Sequence, residues 1–332
     1  NTKPVSPERI TQLTSAHWAL KALAVAVDLA VFTSLKGRSL TAAQLAEVLQ
    51  VPLRSLERLL NANAALGFLE KAADTYRNAE IAEVYLVEGS PDYFGDFVKL
   101  SGIHGYAKWT RFKECVLNDT PIEDIDADFR HAEDRMQYFI RAMHNNAKGP
   151  AEFLATIPDL KGRSHLVDLG GGSGVYCITL TEKYPKLRAT LVDFPPVCRV
   201  AREYVRESRV GDRIEVLEAD VLVDDLTVNG DVVLVSQVLH GMSEQQCRSL
   251  LGNCYKWTLP AGIVVVHEFV LDDSKASPLY PALFALNMLI TTREGNAYAK
   301  GEVTDWLREA GYRELSYHST PGPSTFIIGH KK

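Results

Sequence analysis

The segment HLVDLGGGSGVYC, residues 165–177, sets four glycines and a serine after a short apolar run that carries Asp168. Gly170, Gly172 and Gly174 form G-x-G-x-G, a spacing that lets backbone approach a ligand with no Cβ in the way and starts a helix beneath it. A dinucleotide fingerprint would continue with glycine or alanine at position 175, where this chain has Val175. Asp193 lies 21 residues past the middle glycine, the separation at which a carboxylate meets the hydroxyls of an adenosine ribose. Asp168 and Asp220, each closing a short apolar run, make the surroundings acidic. Such walls repel a pyrophosphate and favour a cationic ligand.

These residues need a scaffold, and the rhythm of the chain supplies one. After residue 160 short β-rich runs alternate with helical ones: HLVDLG, RATLVDF, RIEVLEAD, DVVLVSQVLH, GIVVVHEFVL and finally STFIIGHKK. Apolar runs without polar alternation predict strands covered on both faces, hence a mostly parallel, doubly wound sheet whose ligands sit beyond the strands' carboxyl ends. Residues 8–150 read as helical instead, with Leu13, Trp18, Leu20, Leu23, Val27, Leu29 and Phe32 at helical spacing. Within them SLTAAQLAEVLQVPLRSLERLL predicts helix, turn, helix, and GFLEKAADTYRNA a short two-stranded wing. Three parts are expected: 1–105 a helical, winged-helix-like domain, 106–160 connecting helices that contribute to a pocket, and 161–332 the ligand-binding domain.

Composition excludes several partners. A winged helix invites a DNA reading, but residues 38–88 hold five basic against seven acidic residues, and the whole chain carries a formal charge of -6. Phosphate would be repelled, so packing or dimerisation is the expected role of that region. No apolar run reaches membrane-spanning length, and the first thirty residues show no signal-like apolar core. The five cysteines, Cys115, Cys177, Cys198, Cys247 and Cys254, are scattered with no C-x-x-C pair, which predicts free thiols and a cytoplasmic protein.

Taken in order, VDLGGGSG, LVDFPPVC, EAD, VSQVLHGMSEQQC and LREAGY behind a winged-helix front resemble the class I S-adenosylmethionine-dependent small-molecule O-methyltransferases. The resemblance implies an α/β fold, a Rossmann-like doubly wound methyltransferase domain preceded by an all-α winged-helix-like dimerisation domain, working as a homodimer on a small molecule. It implies S-adenosylmethionine as cofactor, with Asp168, Gly170 and Gly172 around its methionine part, Asp193 at the ribose, Asp220 and Val221 at the adenine, and Ser236 nearby. His240 takes the place of the family's catalytic base, and Glu268 that of the glutamate that steadies it.

Methyl transfer at a sulfonium needs mainly alignment of the acceptor and removal of its proton. Alignment is worth about 7–11 kcal/mol and a positioned base about 10²- to 10⁴-fold in rate. An imidazole suits a phenol or enol proton. Where the family writes His-Asp-Trp this chain has His240, Gly241 and Met242, which keeps a non-methylating, cofactor-binding descendant open. Extra histidines suggest a further alternative: His144, His240 and His267 holding a divalent metal for methylation at the β-carbon of a 2-oxo acid. Expected pocket residues are Phe139, Met143, His144, Asn287 and Met288, with Arg293 facing a substrate carboxylate.

Overall fold

The computed structural model describes residues 6–124 and 133–332. The chain divides into two compact units, Asn1–Thr110 and Arg111–Lys332. In the first, α1 (Glu8–Asp28) and α2 (Val31–Ser34) precede β1 (Leu40–Thr41), α3 (Ala42–Leu49) and α4 (Leu53–Ala65). Next come β2 (Leu69–Ala72), β3 (Thr75–Asn78), α5 (Glu80–Tyr85), α6 (Gly95–Lys99) and α7 (Tyr106–Trp109), the last two joined by a π-helical turn over Leu100–Gly105. A capping box between Thr41 and Gln44 starts α3. The wing has three antiparallel strands, in the order β1-β3-β2, because the two-residue β1 adds to the predicted pair. The carboxyl end of α1 is buried, through Ala24, Ala26 and Val27, whereas Ile10, Leu13 and Trp18 nearer its start are exposed.

The second unit opens with α8 (Phe112–Asn118) and α9 (Glu133–Leu154), then alternates β4 (His165–Leu169), α10 (Val175–Lys183), β5 (Arg188–Asp193), α11 (Pro195–Glu207), β6 (Ile214–Glu218), β7 (Gly230–Ser236), α12 (Glu244–Trp257) and β8 (Thr258–Glu268). It closes with α13 (Leu279–Thr291), α14 (Lys300–Ala310), β9 (Arg313–Ser319) and β10 (Thr325–His330). The sheet order is β6-β5-β4-β7-β8-β10-β9. The first five are parallel, and β10 runs antiparallel to both neighbours. Alternate strand residues feed two cores, Leu234 and Val265 on one face, Val235 and Val266 on the other. The strand order reverses between β4 and β7, the switch point at which open α/β sheets bind ligands. Among the described residues no helix is long and apolar enough to cross a membrane.

Two expectations change here. The run DVVLVSQVLH is strand only to Ser236; His240 lies in a one-turn 3-10 helix, Leu239–Gly241, beyond the strand rather than at its end. Between β8 and the last strand the two predicted helices are joined by an additional strand, β9, whose mostly exposed edge position gives it no apolar run to read.

Candidate active site

The glycine loop spans β4 and α10, and its backbone explains its composition. Gly170, Gly172 and Gly174 have φ of 68°, 57° and 82°, the left-handed region that side chains avoid. A Cβ on Gly170 would sit 2.6 Å from Val238 Cγ2, so the loop lies against the segment leading to His240. A Cβ on Gly172 would meet nothing within 4 Å among the described residues. The Gly172 N–H donates to Asp193 Oδ2 at 2.8 Å and the Phe194 N–H to Oδ1 at 2.7 Å, which fixes the carboxylate at the end of β5 beneath the loop. Burial nevertheless raises Asp193 to about 6, against the pull of those two bonds.

Asp168 is fully buried within β4. Its Oδ2 accepts only the Cys177 thiol, at 3.5 Å, and its Oδ1 has no partner among the described residues. Burial drives its pKa up to about 7, with the nearby Asp193 adding to the rise. An orphaned carboxylate oxygen is costly unless something cationic or hydrogen-donating reaches it. A glycine with open space before it, two buried acids and an unsatisfied acceptor are features that fit an adenosyl sulfonium bearing an amino-acid tail.

His240 is steadied from three sides. Its Nδ1–H donates to Glu268 Oε2 at 3.0 Å, its backbone N–H to Glu268 Oε1 at 3.2 Å, and its carbonyl accepts the Asn296 N–H at 2.8 Å. The ring meets Phe284 edge-on, centroids 4.9 Å apart, and Phe284 in turn packs on Phe269. Glu268, at the end of β8, is 4% exposed. Burial pushes its pKa up, but attraction to the His240 imidazole and the hydrogen bonds from His240 outweigh that and hold it below the ordinary value. Because Nδ1 carries the proton given to the carboxylate, Nε2 is the nitrogen that accepts one.

The family model described as an O-methyltransferase domain matches residues 125–313, and that of the O-methyltransferase dimerisation domain matches residues 11–88. The chain is 34% identical to a 3-hydroxy-5-methyl-1-naphthoate 3-O-methyltransferase of Streptomyces sahachiroi, over 98% of this chain and 95% of the relative. It belongs to the S-adenosylmethionine-dependent O-methyltransferase family. Identity to the tetracenomycin polyketide synthesis 8-O-methyl transferase TcmO of Streptomyces glaucescens is 31%, over 98% of this chain and 97% of that one. The solved structure of PigF with SAH, PigF being a methyl transferase of Serratia sp., superposes with a TM-score of 0.86 at 25% identity, covering 98% of this chain and 100% of the other.

Other residues expected at this methyltransferase site lie in several places. Asp220 follows β6 and accepts the Leu222 N–H at 3.0 Å in a local turn, with Val221 buried beside it. Ser236, at the end of β7, lies 3.0 Å from His267 Nδ1. His144, on α9, reaches the glycine loop: its Nδ1 is 2.8 Å from Ser173 Oγ, and its ring stacks on Tyr204 at 3.9 Å. Phe139 packs against Met136, Val197 and Val200, between α9 and α11. Met143 and Asn287 are half-buried, and Met288 is buried on α13.

Arg293, with its side chain 78% exposed, is paired with Asp124 at 2.6 Å. One expectation is corrected. The metal alternative lacks its ligand set. His267 lies on the sheet face opposite Glu268, with Nδ1 taken by the Tyr176 and Ser236 hydroxyls and Nε2 by Ser324. Among the described residues no three His, Cys, Asp or Glu groups are gathered to hold a metal ion.

Tyr176, Ser173 and Gln237 are additional to the sequence reading. Ser173 lies within the glycine motif and Tyr176 two residues past it, so both are legible from the motif itself. Gln237 has a left-handed φ of 57° that no glycine or asparagine announces.

Proposed function

We propose that this protein transfers the methyl group of S-adenosylmethionine to a hydroxyl oxygen of a small planar metabolite, with His240 as general base. The arrangement of His240 against buried Glu268, next to the glycine loop's contact with Val238, carries this reading. When bound, S-adenosylmethionine supplies an electrophilic methyl on a sulfonium whose leaving group is a neutral thioether. The residues that would hold it are Asp168 for its cationic part, Asp193 for the ribose hydroxyls, Gly170 and Gly172 along the tail, and Asp220 with Val221 at the adenine.

The chain's own work is positional and acid–base. His240 Nε2 takes the acceptor's hydroxyl proton, while Nδ1–H stays on Glu268 Oε2, which fixes the tautomer and stabilises the imidazolium that forms. Phe284 and Phe269 present aromatic faces and edges beside the imidazole, a surface suited to an aromatic acceptor. The acceptors of the two Streptomyces relatives are a hydroxynaphthoate and a polyketide, and this supports a phenolic hydroxyl here. The exposed apolar residues of α1, together with the dimerisation-domain match, support a homodimer. Five buried free thiols support a reducing, cytoplasmic setting.

The test is a methyl-transfer assay with purified protein and a panel of naphthols, read by mass spectrometry. Methylated product is expected. His240→Ala should lower kcat by about 10²- to 10⁴-fold with S-adenosylhomocysteine binding unchanged, and Glu268→Gln should lower kcat less. Full activity of His240→Ala would remove the base from this scheme.

A further inference from the structure

We propose that Gly295 is a positioning residue for the methyl transfer: having no Cβ, it lets the strap that follows α13, residues 292–298, close on the His240 carbonyl and so fixes where the imidazole stands. The inference rests on the reading of His240 as the base, and it adds a residue that acts through that base.

The need for glycine here is one of space. Gly295 lies outside the left-handed region, so no turn demands it. A Cβ at this position would come closer than 3.0 Å to both the His240 carbonyl oxygen and Thr292 Oγ1. The first of these is backbone and cannot swing aside. A methyl group would therefore lift the strap off the turn that carries His240, or push that turn away.

The strap is tied down on both sides of this glycine. The Asn296 N–H donates to the His240 carbonyl at 2.8 Å, and the Tyr298 hydroxyl donates to the Met242 carbonyl. The Gly295 N–H donates to Thr292 Oγ1 at 3.0 Å. Thr292 is buried just past α13, and its N–H and hydroxyl both donate to the Met288 carbonyl at 2.8 Å. The Ile122 N–H caps the Ile290 carbonyl at 2.9 Å, which steadies the end of the helix.

These ties bear on the base because the turn does not place it alone. The bonds of the one-turn helix join Gly241 to Val238 and Met242 to Leu239. The His240 N–H goes to Glu268 Oε1 and the His240 carbonyl to the strap. α13 also presents Phe284 to the imidazole. One helix thus reaches His240 twice, at the ring through Phe284 and at the backbone through Gly295 and Asn296. A misplacement of about 1 Å at a reacting group can cost about 10²-fold in rate.

The test is steady-state methylation by the full-length chain of naphthols of graded acidity, with S-adenosylhomocysteine titration as the control for folding. Gly295→Ala should lower kcat about 10- to 10²-fold on the least acidic naphthol, with S-adenosylhomocysteine affinity and acceptor KM within twofold. The deficit should vanish on nitro-substituted naphthols already ionised at the assay pH, because those need no base. Gly295→Ala added to His240→Ala should cause no further loss. Thr292→Val keeps the shape but removes the acceptor of the Gly295 N–H. It should give the same pattern at smaller amplitude, and it carries the test if Gly295→Ala does not fold. An equal deficit on every naphthol, a further loss in the double variant, weakened S-adenosylhomocysteine binding or an unchanged kcat would overturn the proposal. Full activity of His240→Ala would instead remove the base reading on which it rests.

Discussion

His267 and Glu268 are consecutive in β8 and serve opposite faces of the sheet. Glu268 holds the His240 imidazole on one side. On the other, His267 Nδ1 meets the Tyr176 and Ser236 hydroxyls, each at 3.0 Å, and Nε2 meets Ser324 at 2.7 Å. Its ring stacks on Phe326 at 4.2 Å. One imidazole therefore ties the first turn of the glycine-loop helix to the ends of β7 and β8 and the start of β10. A single strand thus supports both the His240 imidazole and the glycine loop.

His267 is the more structural of the pair, and its removal should show in stability. His267→Phe leaves three hydroxyls without their nitrogen partner in a buried site, a loss of about 2–4 kcal/mol in urea unfolding. Burial lowers His267 to about 4, below the ordinary value of about 6.5. Between those values the unfolded chain binds the proton that the folded one refuses, so the stabilisation is complete above about pH 6.5 and is lost as pH falls toward 4. The deficit of the variant should shrink over that window. A deficit independent of pH would contradict the neutral, fully bonded imidazole.

Cofactor binding should release protons. Burial raises Asp168 to about 7 and Asp193 to about 6, so the empty protein holds protons that an unfolded chain would have lost. By linkage these two acids make the empty fold less stable as pH rises from about 4 to about 7, opposite to His267. A cation at Asp168 favours its ionised form. S-adenosylmethionine affinity is therefore expected to rise as pH increases through about 7 and to level off above. Calorimetry in two buffers of different ionisation enthalpy should detect net proton release near pH 6.5, and Asp168→Asn should abolish most of it. Absence of release from the unaltered protein would mean that the acid is already ionised.

The glycines of the loop should separate into structural and binding positions. Gly170→Ala combines a left-handed backbone with a Cβ 2.6 Å from Val238, and about 2–4 kcal/mol of stability should be lost. Gly172→Ala meets no neighbour among the described residues, so it should cost only the backbone strain, about 1–2 kcal/mol. Its methyl group enters the space in front of the loop, and S-adenosylhomocysteine affinity should fall at least tenfold. Chemical denaturation and calorimetry on both variants check the contrast. Unchanged affinity in Gly172→Ala would place the ligand elsewhere.

The sequence makes the catalytic half legible because its strands are continuous apolar runs and its loop needs glycines that only a left-handed backbone requires. Spacing singles out Asp193, and the structure shows it accepting the Gly172 N–H at the end of β5. What remained hidden depends on dihedrals and edges. Gln237 turns the chain at the end of β7 without any turn residue, which is why the strand reads through to His240. β9 is an exposed edge strand with no apolar run. His144 neighbours the expected pocket residue Met143, but adjacent residues on a helix point about 100° apart, and His144 faces Ser173 and Tyr204.

The front unit leads to a prediction about assembly. Helical spacing in α1 calls for a buried stripe, yet Ile10, Leu13 and Trp18 are 67%, 68% and 67% exposed, and only the carboxyl end of the helix joins the core of the unit. Three large apolar side chains on one helix are worth about 1.5–3 kcal/mol each when covered, and the dimerisation-domain match over residues 11–88 makes a second copy the expected cover. Sedimentation should give about twice the 36.8 kDa chain mass at micromolar concentration. Leu13→Glu with Trp18→Glu should give a monomer with an unchanged circular dichroism spectrum, since neither side chain belongs to the core of its own chain. A monomeric unaltered protein, or a double variant that still dimerises, would show that this part of α1 is not the contact between subunits.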